Sequence, residues 1–215
     1  EAMAPWWGRP GNPSSVHQAG QRAAMAVEQA REHVAALVGG RTSGVVFTSG
    51  ATEANHQFLR GIVLRDANRR LLVMSAIEHP CVRAAARMLE QEGYRTLCLK
   101  VGKDGVVDVP EVLPADTAVV SLMAANHESG VIQPVDRAWV AARASGAALH
   151  VDAAQAAGRM PLHLAFADGV VLSSHKIGGP CGLGALILQS GDPFPPLVTG
   201  GPQERGRRAG TVNVG

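Results

Sequence analysis

The sequence of 215 residues is poor in cysteine and has no long apolar run. Its three cysteines, Cys81, Cys98 and Cys181, are an odd number and lack the CxxC spacing that is typical of metal sites. This pattern argues against a disulfide framework, predicts no metal site and favours a reducing compartment, so we expect a cytoplasmic protein. No stretch approaches the roughly 20 apolar residues that a membrane-spanning helix needs, so we expect no membrane partner.

The sequence also has almost no excess of charge. The formal net charge is +2, and lysine and arginine are dispersed except in the stretch 205–208. A nucleic-acid-binding domain usually carries a basic patch on one face. The balance of charges therefore argues against a nucleic-acid partner.

The two ends of the sequence lack features that a complete domain would have. Glu1 is not an initiator methionine, and Gly215 falls in a stretch rich in glycine and arginine that has no closing element. The length suits one large α/β domain or two small ones, and the alternation of helix-like and strand-like segments along the chain favours one. We therefore expect residues 1–215 to be a fragment, one domain that is incomplete at both ends.

Helix-like and strand-like segments alternate along the chain. The first helix is expected over 16–37, with one buried face made of Val16, Ala19, Ala23, Val27, Ala30, Val34 and Leu37. Further helices are expected over 51–66, 82–92 and 134–144, and strands over 45–48, 71–76, 95–101, 117–124, 148–152, 169–172 and 185–188. Such alternation predicts a three-layer αβα domain with a mixed, mostly parallel sheet.

Two predicted strands end in groups of opposite charge, Asp152 and Lys176. If these strands are parallel neighbours, both groups lie at the carboxyl edge of the sheet, where open α/β sheets bind ligands. A partly desolvated lysine can attach covalently to an aldehyde, and a carboxylate can keep a pyridinium nitrogen protonated. Pyridoxal phosphate is a cofactor that has both an aldehyde and a pyridinium nitrogen. The alternative is that Asp152 caps a helix and Lys176 is a surface cation.

Two other strand ends carry groups that suit the same cofactor. The turn Ser49-Gly50-Ala51-Thr52 opens a helix, whose free amides can bind a phosphate. His79 follows the strand over 71–76, where an imidazole could stack on a flat ring and transfer protons. Taken singly, the turn is an ordinary capped helix start and His79 a structural or exposed histidine.

Several ordered motifs together carry a resemblance to a known family. They are GNPSSVH at 11–17, FTSGATE at 47–53, Glu78-His79, ESG at 128–130, HVDA at 150–153, SHK at 174–176 and QERG at 203–206. In order and spacing the chain resembles the cysteine desulfurases, which are class V, fold-type I enzymes that depend on pyridoxal phosphate. The resemblance implies the large domain of the fold-type I transferases and covers nearly the whole chain.

The resemblance implies a role for each matching position around the cofactor ring. Lys176 would hold the cofactor covalently, and Asp152 would pair with the pyridinium nitrogen. Gln155 would reach the phenolic oxygen of the ring. His79 would stack on the ring and act as an acid and base, so Lys176 and His79 are the expected catalytic residues.

The phosphate site is implied in the same way. Ala51, Thr52, Ser173 and His175 would bind the phosphate, and a second copy would complete the site with the threonine that matches Thr211. A homodimer is therefore expected.

One departure from the family lies close to the ring. Where relatives commonly have two asparagines, this chain has Asn126 and His127. Both are candidate cofactor contacts, but an imidazole at the second position has a different reach from an amide.

The residues for sulfur transfer are not in this sequence. In the family, the cysteine that forms a persulfide and the arginine that binds the substrate lie beyond the position that matches Gly215, so we expect the chain alone to be inactive. A Cys81–His79 nucleophile is an alternative that the family does not support. Cys98 is expected in a strand core, and Cys181 occupies a variable loop position.

The implied function is the conversion of L-cysteine to L-alanine, with sulfur passed through a persulfide to an acceptor such as an iron–sulfur scaffold protein. Two alternatives within the enzymes are a selenocysteine lyase and a class V aminotransferase. An alternative of another class is a noncatalytic remnant that binds pyridoxal phosphate or serves as a scaffold.

Overall fold

A computed structural model describes residues 3–8, 11–190 and 194–215. Within these residues, four α-helices alternate with the strands of one sheet. The helices are α1 (Gln18–Ala36), α2 (Ala51–Val63), α3 (Pro80–Gln91) and α4 (Val135–Ser145). The strands are β1 (Val45–Thr48), β2 (Leu71–Ser75), β3 (Arg95–Leu99), β4 (Thr117–Ser121), β5 (Ala148–Asp152), β6 (Gly169–Ser173) and β7 (Gly184–Leu188).

The strand order is β1-β7-β6-β5-β4-β2-β3. Strands β6, β5, β4, β2 and β3 are parallel to their neighbours, whereas β7 is antiparallel to both β6 and β1. The expected pairing of β5 with β6 is confirmed, with Val151 opposite Val170. Because β7 is antiparallel to both of its neighbours, β1 points the same way as β6 and the other parallel strands. The carboxyl ends of β1, β2, β4, β5 and β6 therefore share one edge of the sheet.

Helices cover both faces of the sheet and separate two apolar cores. α1 and α4 contribute Ala35 and Ala141 to the core on one face, and α2 and α3 contribute Phe58 and Leu89 to the core on the other. Neighbouring residues of a strand point to opposite faces, so each strand supplies both cores. The predicted three-layer αβα fold with a mixed, mostly parallel sheet is confirmed.

The first helix differs from its prediction. It begins at Gln18 because His17 accepts a hydrogen bond from the N–H of Gly20 and caps it, which leaves Val16 outside the helix and 89% exposed. Leu37 follows the helix and is also exposed. The buried face contains Arg31 instead, an arginine that apolar periodicity cannot identify.

The prediction that Cys98 lies in a strand core is wrong. Cys98 is exposed on β3, which is the last strand of the sheet. An edge strand has a neighbour on one side only, and three of the five β3 residues are exposed. In the part of the chain that the structure describes, no helix has the length and apolar character to cross a membrane.

Candidate active site

A cavity of about 490 Å³ lies where the parallel strands end. Nine of the predicted site residues line it: Ala51, Thr52, His79, His127, Asp152, Gln155, Ser173, His175 and Lys176. Asn126 and Thr211 are not among the residues that line it. The edge of the sheet thus brings together side chains that are up to 125 positions apart in the sequence, from Ala51 to Lys176.

The N-terminus of α2 forms part of the cavity wall. The helix begins at Ala51, after the turn residues Ser49 and Gly50 that follow β1. The start of β7 lies so close to this turn that a Cβ on Gly184 would be 2.5 Å from the carbonyl carbon of Gly50, so only glycine fits there. The first amides of a helix have no partner within it and carry its positive dipole end. This part of the wall can therefore bind an anion.

Ser173 and His175 add polar groups to the wall. Ser173 ends β6, and its Oγ lies 3.0 Å from Nδ1 of His175 in the 3₁₀ turn that follows. A hydroxyl and an imidazole can each donate a hydrogen bond to an anion. They complement the amides of α2 in the same cavity.

Asp152 is a buried carboxyl group with a fixed direction. Its Oδ2 accepts a hydrogen bond from the Asn55 amide at 2.9 Å, and its Oδ1 accepts one from the N–H of Ala154 at 3.0 Å. Burial raises the pKa of Asp152, although both donors and the nearby imidazoles oppose this effect. A cationic ligand next to this carboxyl group would favour its ionised form.

Asn55 connects Asp152 to His79 through Cys81. The Asn55 amide also donates to Sγ of Cys81 at 3.3 Å, and this sulfur lies 3.0 Å from Nδ1 of His79. The same Nδ1 accepts the N–H of Cys81 at 3.2 Å, because His79 caps α3. Nδ1 is thus an acceptor, and the neutral ring carries its proton on Nε2. Burial lowers the pKa of His79, against the pull of Asp152, so the ring is neutral near pH 7.

Cys81 is poorly suited to act as a nucleophile. Burial is the largest cause that raises the pKa of its thiol, and the Asp152 charge adds to it. The nucleophilic form of cysteine is the thiolate, which a raised pKa disfavours. The structure thus gives the Cys81–His79 alternative no support.

Lys176 ends the 3₁₀ turn after β6 and is half-buried, so it is less withdrawn from solvent than the sequence led us to expect. Among the described residues, no carboxylate pairs with its side chain. Gln155 accepts a hydrogen bond from Arg159 Nη1 at 3.0 Å, and Arg159 also reaches the Lys176 carbonyl oxygen at 3.4 Å. The amine of Lys176 is therefore available to a ligand in the cavity.

Asn126 and His127 take different positions. The Asn126 amide bonds to the Ile77 carbonyl oxygen, and its Oδ1 accepts hydrogen bonds from Glu128 and Ser129. These contacts hold a turn outside the cavity. His127 lines the cavity, with its ring 5.3 Å from that of His79 and its buried Nδ1 without a hydrogen-bond partner among the described residues.

Three polar residues near the cavity were missed by the sequence analysis. Asn55 and Glu53 lie on α2, and Arg208 pairs with Glu53. A signal existed for Asn55, because its position in α2 falls beside the buried Ala54, Phe58 and Leu59. A polar residue on an apolar helix face usually has a buried partner.

A comparison with known families decides the classification. A family model for aminotransferases of class V matches residues 6–214. The chain belongs to this family.

Curated proteins that are similar to this chain include cysteine desulfurases. Cysteine desulfurase 2 of Trichormus variabilis is 42% identical over 209 residues, which are 95% of this chain and 52% of that protein. Cysteine desulfurase IscS of Dictyoglomus turgidum is 36% identical over 221 residues, 100% of this chain and 56% of that protein.

Solved structures of similar proteins have the same fold. A protein described as NifS-like has a TM-score of 0.93 and 36% identity, and the match covers 99% of this chain and 60% of that one. A structure of SspA in complex with cysteine has a TM-score of 0.94 and 31% identity, over 99% of this chain and 64% of that one. The chain spans about half the length of the curated relatives it matches, 52% for the first.

Proposed function

We propose that the protein is a cysteine desulfurase that depends on pyridoxal phosphate, and that this chain binds the cofactor in the 490 Å³ cavity. One observation carries the proposal: a buried, directed carboxyl group shares a cavity with a helix N-terminus and with a lysine that has no carboxylate partner among the described residues. Membership of the class V family and the similarity to cysteine desulfurases support it.

The residues present fit the chemical groups of pyridoxal phosphate. The amides of α2 with Ser173 and His175 suit the phosphate, Asp152 suits the ring nitrogen, and the amine of Lys176 suits the aldehyde. The buried Nδ1 of His127, which lacks a partner in the described part of the chain, is a further polar atom that a ligand could satisfy. When bound, pyridoxal phosphate supplies an electron sink for bond changes at the α-carbon of an amino acid.

The chain's own residues would bind, orient and transfer protons. Asp152, held by Asn55 and Ala154, would keep a proton on the ring nitrogen. His79 is neutral, so its ring can take up a proton as a base and return it from the imidazolium form as an acid. Asn55 and Cys81 hold this ring and Asp152 in one hydrogen-bonded group.

In the proposed reaction, L-cysteine and a protein thiol give L-alanine and a protein persulfide. The C–S bond breaks, the sulfur atom bonds to the thiol sulfur, and the carbon takes a proton. An acceptor such as an iron–sulfur scaffold protein would then receive the sulfur. We assign the thiol to the rest of the protein beyond Gly215 and propose a cytoplasmic homodimer in which Thr211 serves the second copy's phosphate site.

Covalent labelling tests the central assignment. After incubation with pyridoxal phosphate, borohydride reduction and peptide mapping should find the label on Lys176, because among the described residues no carboxylate pairs with that side chain. Lys176→Ala should remove the label, and Lys100→Ala, at an exposed position outside the cavity, is the matched control. A label on another lysine would mean that the assignment is wrong. Alanine and sulfide release from L-cysteine by the whole protein tests the reaction.

A further inference from the structure

A carboxylate lies next to the proposed phosphate site. Glu53 stands in the first turn of α2, lines the cavity and has a side chain that is only 11% exposed. Its Oε2 accepts the N–H of Ser49 at 2.8 Å. Burial would raise the pKa of Glu53, but the Arg208 and Ser49 donors lower it overall, so the group is ionised near pH 7. A negative charge here would repel an incoming phosphate.

Arg208 meets this carboxylate with two hydrogen bonds. Its Nε lies 2.9 Å from Oε1 of Glu53 and its Nη2 lies 3.3 Å from Oε2, a two-point contact that fixes both groups. The Arg208 side chain is 24% exposed, so water weakens the pair only in part. Arg208 thus offsets the negative charge of Glu53 at the first turn of α2.

The segment that carries Arg208 is itself anchored. Glu204 forms a buried pair with Arg31 on α1, at 2.6 and 2.5 Å, and also accepts the N–H of Phe47 in β1 at 2.8 Å. The side chain of Gln57 on α2 donates to the Arg207 carbonyl oxygen at 2.7 Å. Arg208 is therefore presented to Glu53 by a fixed backbone.

We propose that Arg208 is a positioning residue for anion binding: it neutralises Glu53 and holds that carboxylate on the Ser49 side, which leaves the first amides of α2 free for a phosphate. The inference deepens the proposed function and rests on it. It predicts that Arg208 matters for the phosphate of the cofactor and not for its ring.

Binding of pyridoxal phosphate can be compared with binding of pyridoxal, which has the same ring but no phosphate. The comparison separates an effect on the phosphate from an effect on the ring. We expect Arg208→Gln to weaken binding of pyridoxal phosphate by about tenfold and that of pyridoxal by less than about twofold, because an uncompensated Glu53 charge repels only the phosphate. Arg208→Lys should retain most of the affinity because it keeps the charge. Affinities come from absorbance titrations of the 215-residue chain.

Removal of the repelling group should restore binding. Adding Glu53→Gln to Arg208→Gln is expected to bring the affinity for pyridoxal phosphate back to within about threefold of the starting chain, because no net charge remains at the pair. Arg205→Gln is the matched control, since Arg205 lies on the same segment but pairs with exposed Glu28 at 3.1 Å. It should change neither affinity by more than about twofold.

The outcomes distinguish the two proposals. Equal loss of both ligands in Arg208→Gln, or no rescue by Glu53→Gln, would overturn the role of Arg208 while leaving cofactor binding intact. If the starting chain does not bind pyridoxal phosphate, the proposed function itself fails. If Arg208→Gln does not fold, Arg208→Lys and Glu53→Gln decide alone: a tenfold loss in either overturns the inference.

Discussion

Cys81 contacts two residues of the candidate site, Asn55 and His79, through its sulfur atom and its backbone N–H. The sulfur accepts a hydrogen bond from Asn55 and lies 3.0 Å from Nδ1 of His79, and the Cys81 N–H donates to the same nitrogen. A thiol that stays protonated can donate its hydrogen to Nδ1, whereas a thiolate cannot. The raised pKa of Cys81 therefore suits a role in holding the tautomer of His79.

We predict that Cys81 reacts slowly with Ellman's reagent. In a Cys98→Ser, Cys181→Ser variant, the remaining thiol should react at least about tenfold more slowly at pH 8 than Cys98 does in the Cys81→Ser, Cys181→Ser variant, because burial limits both access and ionisation. Similar rates in the two variants would contradict this prediction. Denaturation should make the two thiols react alike.

Sequence reasoning placed most of the candidate residues at one edge of the sheet, because each ends or follows a strand, and the structure brings nine of them to one cavity there. Asp152 and Lys176 could be placed from local pattern alone, since parallel neighbours share an edge. The sequence could not show whether Asn126 or His127 lines the cavity, because that depends on which of two adjacent side chains points inward. Asn55 was missed because its partners, Asp152 and Cys81, are distant in sequence.

At the scale of elements, Glu78 joins the ends of β2 and β4. Its Oε1 accepts the Ser75 hydroxyl and the Met123 N–H, both at 2.8 Å, while its buried Oε2 has no partner among the described residues. Burial raises the pKa of Glu78 from 4.5 to about 7, against the Ser75 hydrogen bond. Below about pH 7 the folded chain therefore holds Glu78 mostly in its protonated form.

We predict that Glu78 makes the chain less stable as the pH rises. The folded pKa lies above the unfolded one, so this contribution is fully present below about pH 4.5 and is lost as the pH rises through about 7. Between pH 5 and pH 8 the loss in free energy of unfolding should be about 2 kcal/mol. Glu78→Gln, which resembles the protonated acid, should lack this part of the pH dependence.

Urea unfolding at both pH values, followed by circular dichroism, measures the effect. The quantity to compare is the change between pH 5 and pH 8 in the starting chain and in Glu78→Gln, because other titrating groups such as Asp152 contribute to both. Glu32→Gln, at an exposed position on α1, is the control. An identical pH dependence in all three proteins would refute the role of Glu78.

The elements themselves were predicted well where apolar pattern and turn residues agree. The strands β5 and β6 match their predicted ranges to within one residue, since Asp152 ends β5 and Gly169 begins β6. The strands β3 and β4 were predicted too long, because Val101 and residues 122–124 are apolar but belong to connections. Local pattern does not show where hydrogen-bonded pairing ends.

At the scale of the whole molecule, one buried ion pair joins segments from opposite parts of the sequence. Arg31 and Glu204 are 173 positions apart, and their side chains are 5% and 1% exposed. Glu204 and Arg205 both have positive φ angles, 48° and 58°, which non-glycine residues rarely adopt. The pair therefore holds the 203–211 segment in a backbone conformation that is unfavourable by itself.

We predict that loss of either partner strongly destabilises the fold. Glu204→Gln leaves the buried Arg31 charge with only the half-exposed Glu28 as a carboxylate partner. Arg31→Met leaves Glu204 buried without a cation, so each change should cost about 3 kcal/mol in the free energy of unfolding. The double variant should cost less than the sum of the two, because no unpaired charge remains.

Arg205→Gln, which breaks a half-exposed pair in the same segment, should cost less than about 0.5 kcal/mol. Urea unfolding of the four variants measures these differences. Additive losses in the double variant would mean that the two side chains act through separate contacts, such as those of Arg31 with Val45 and of Glu204 with Phe47.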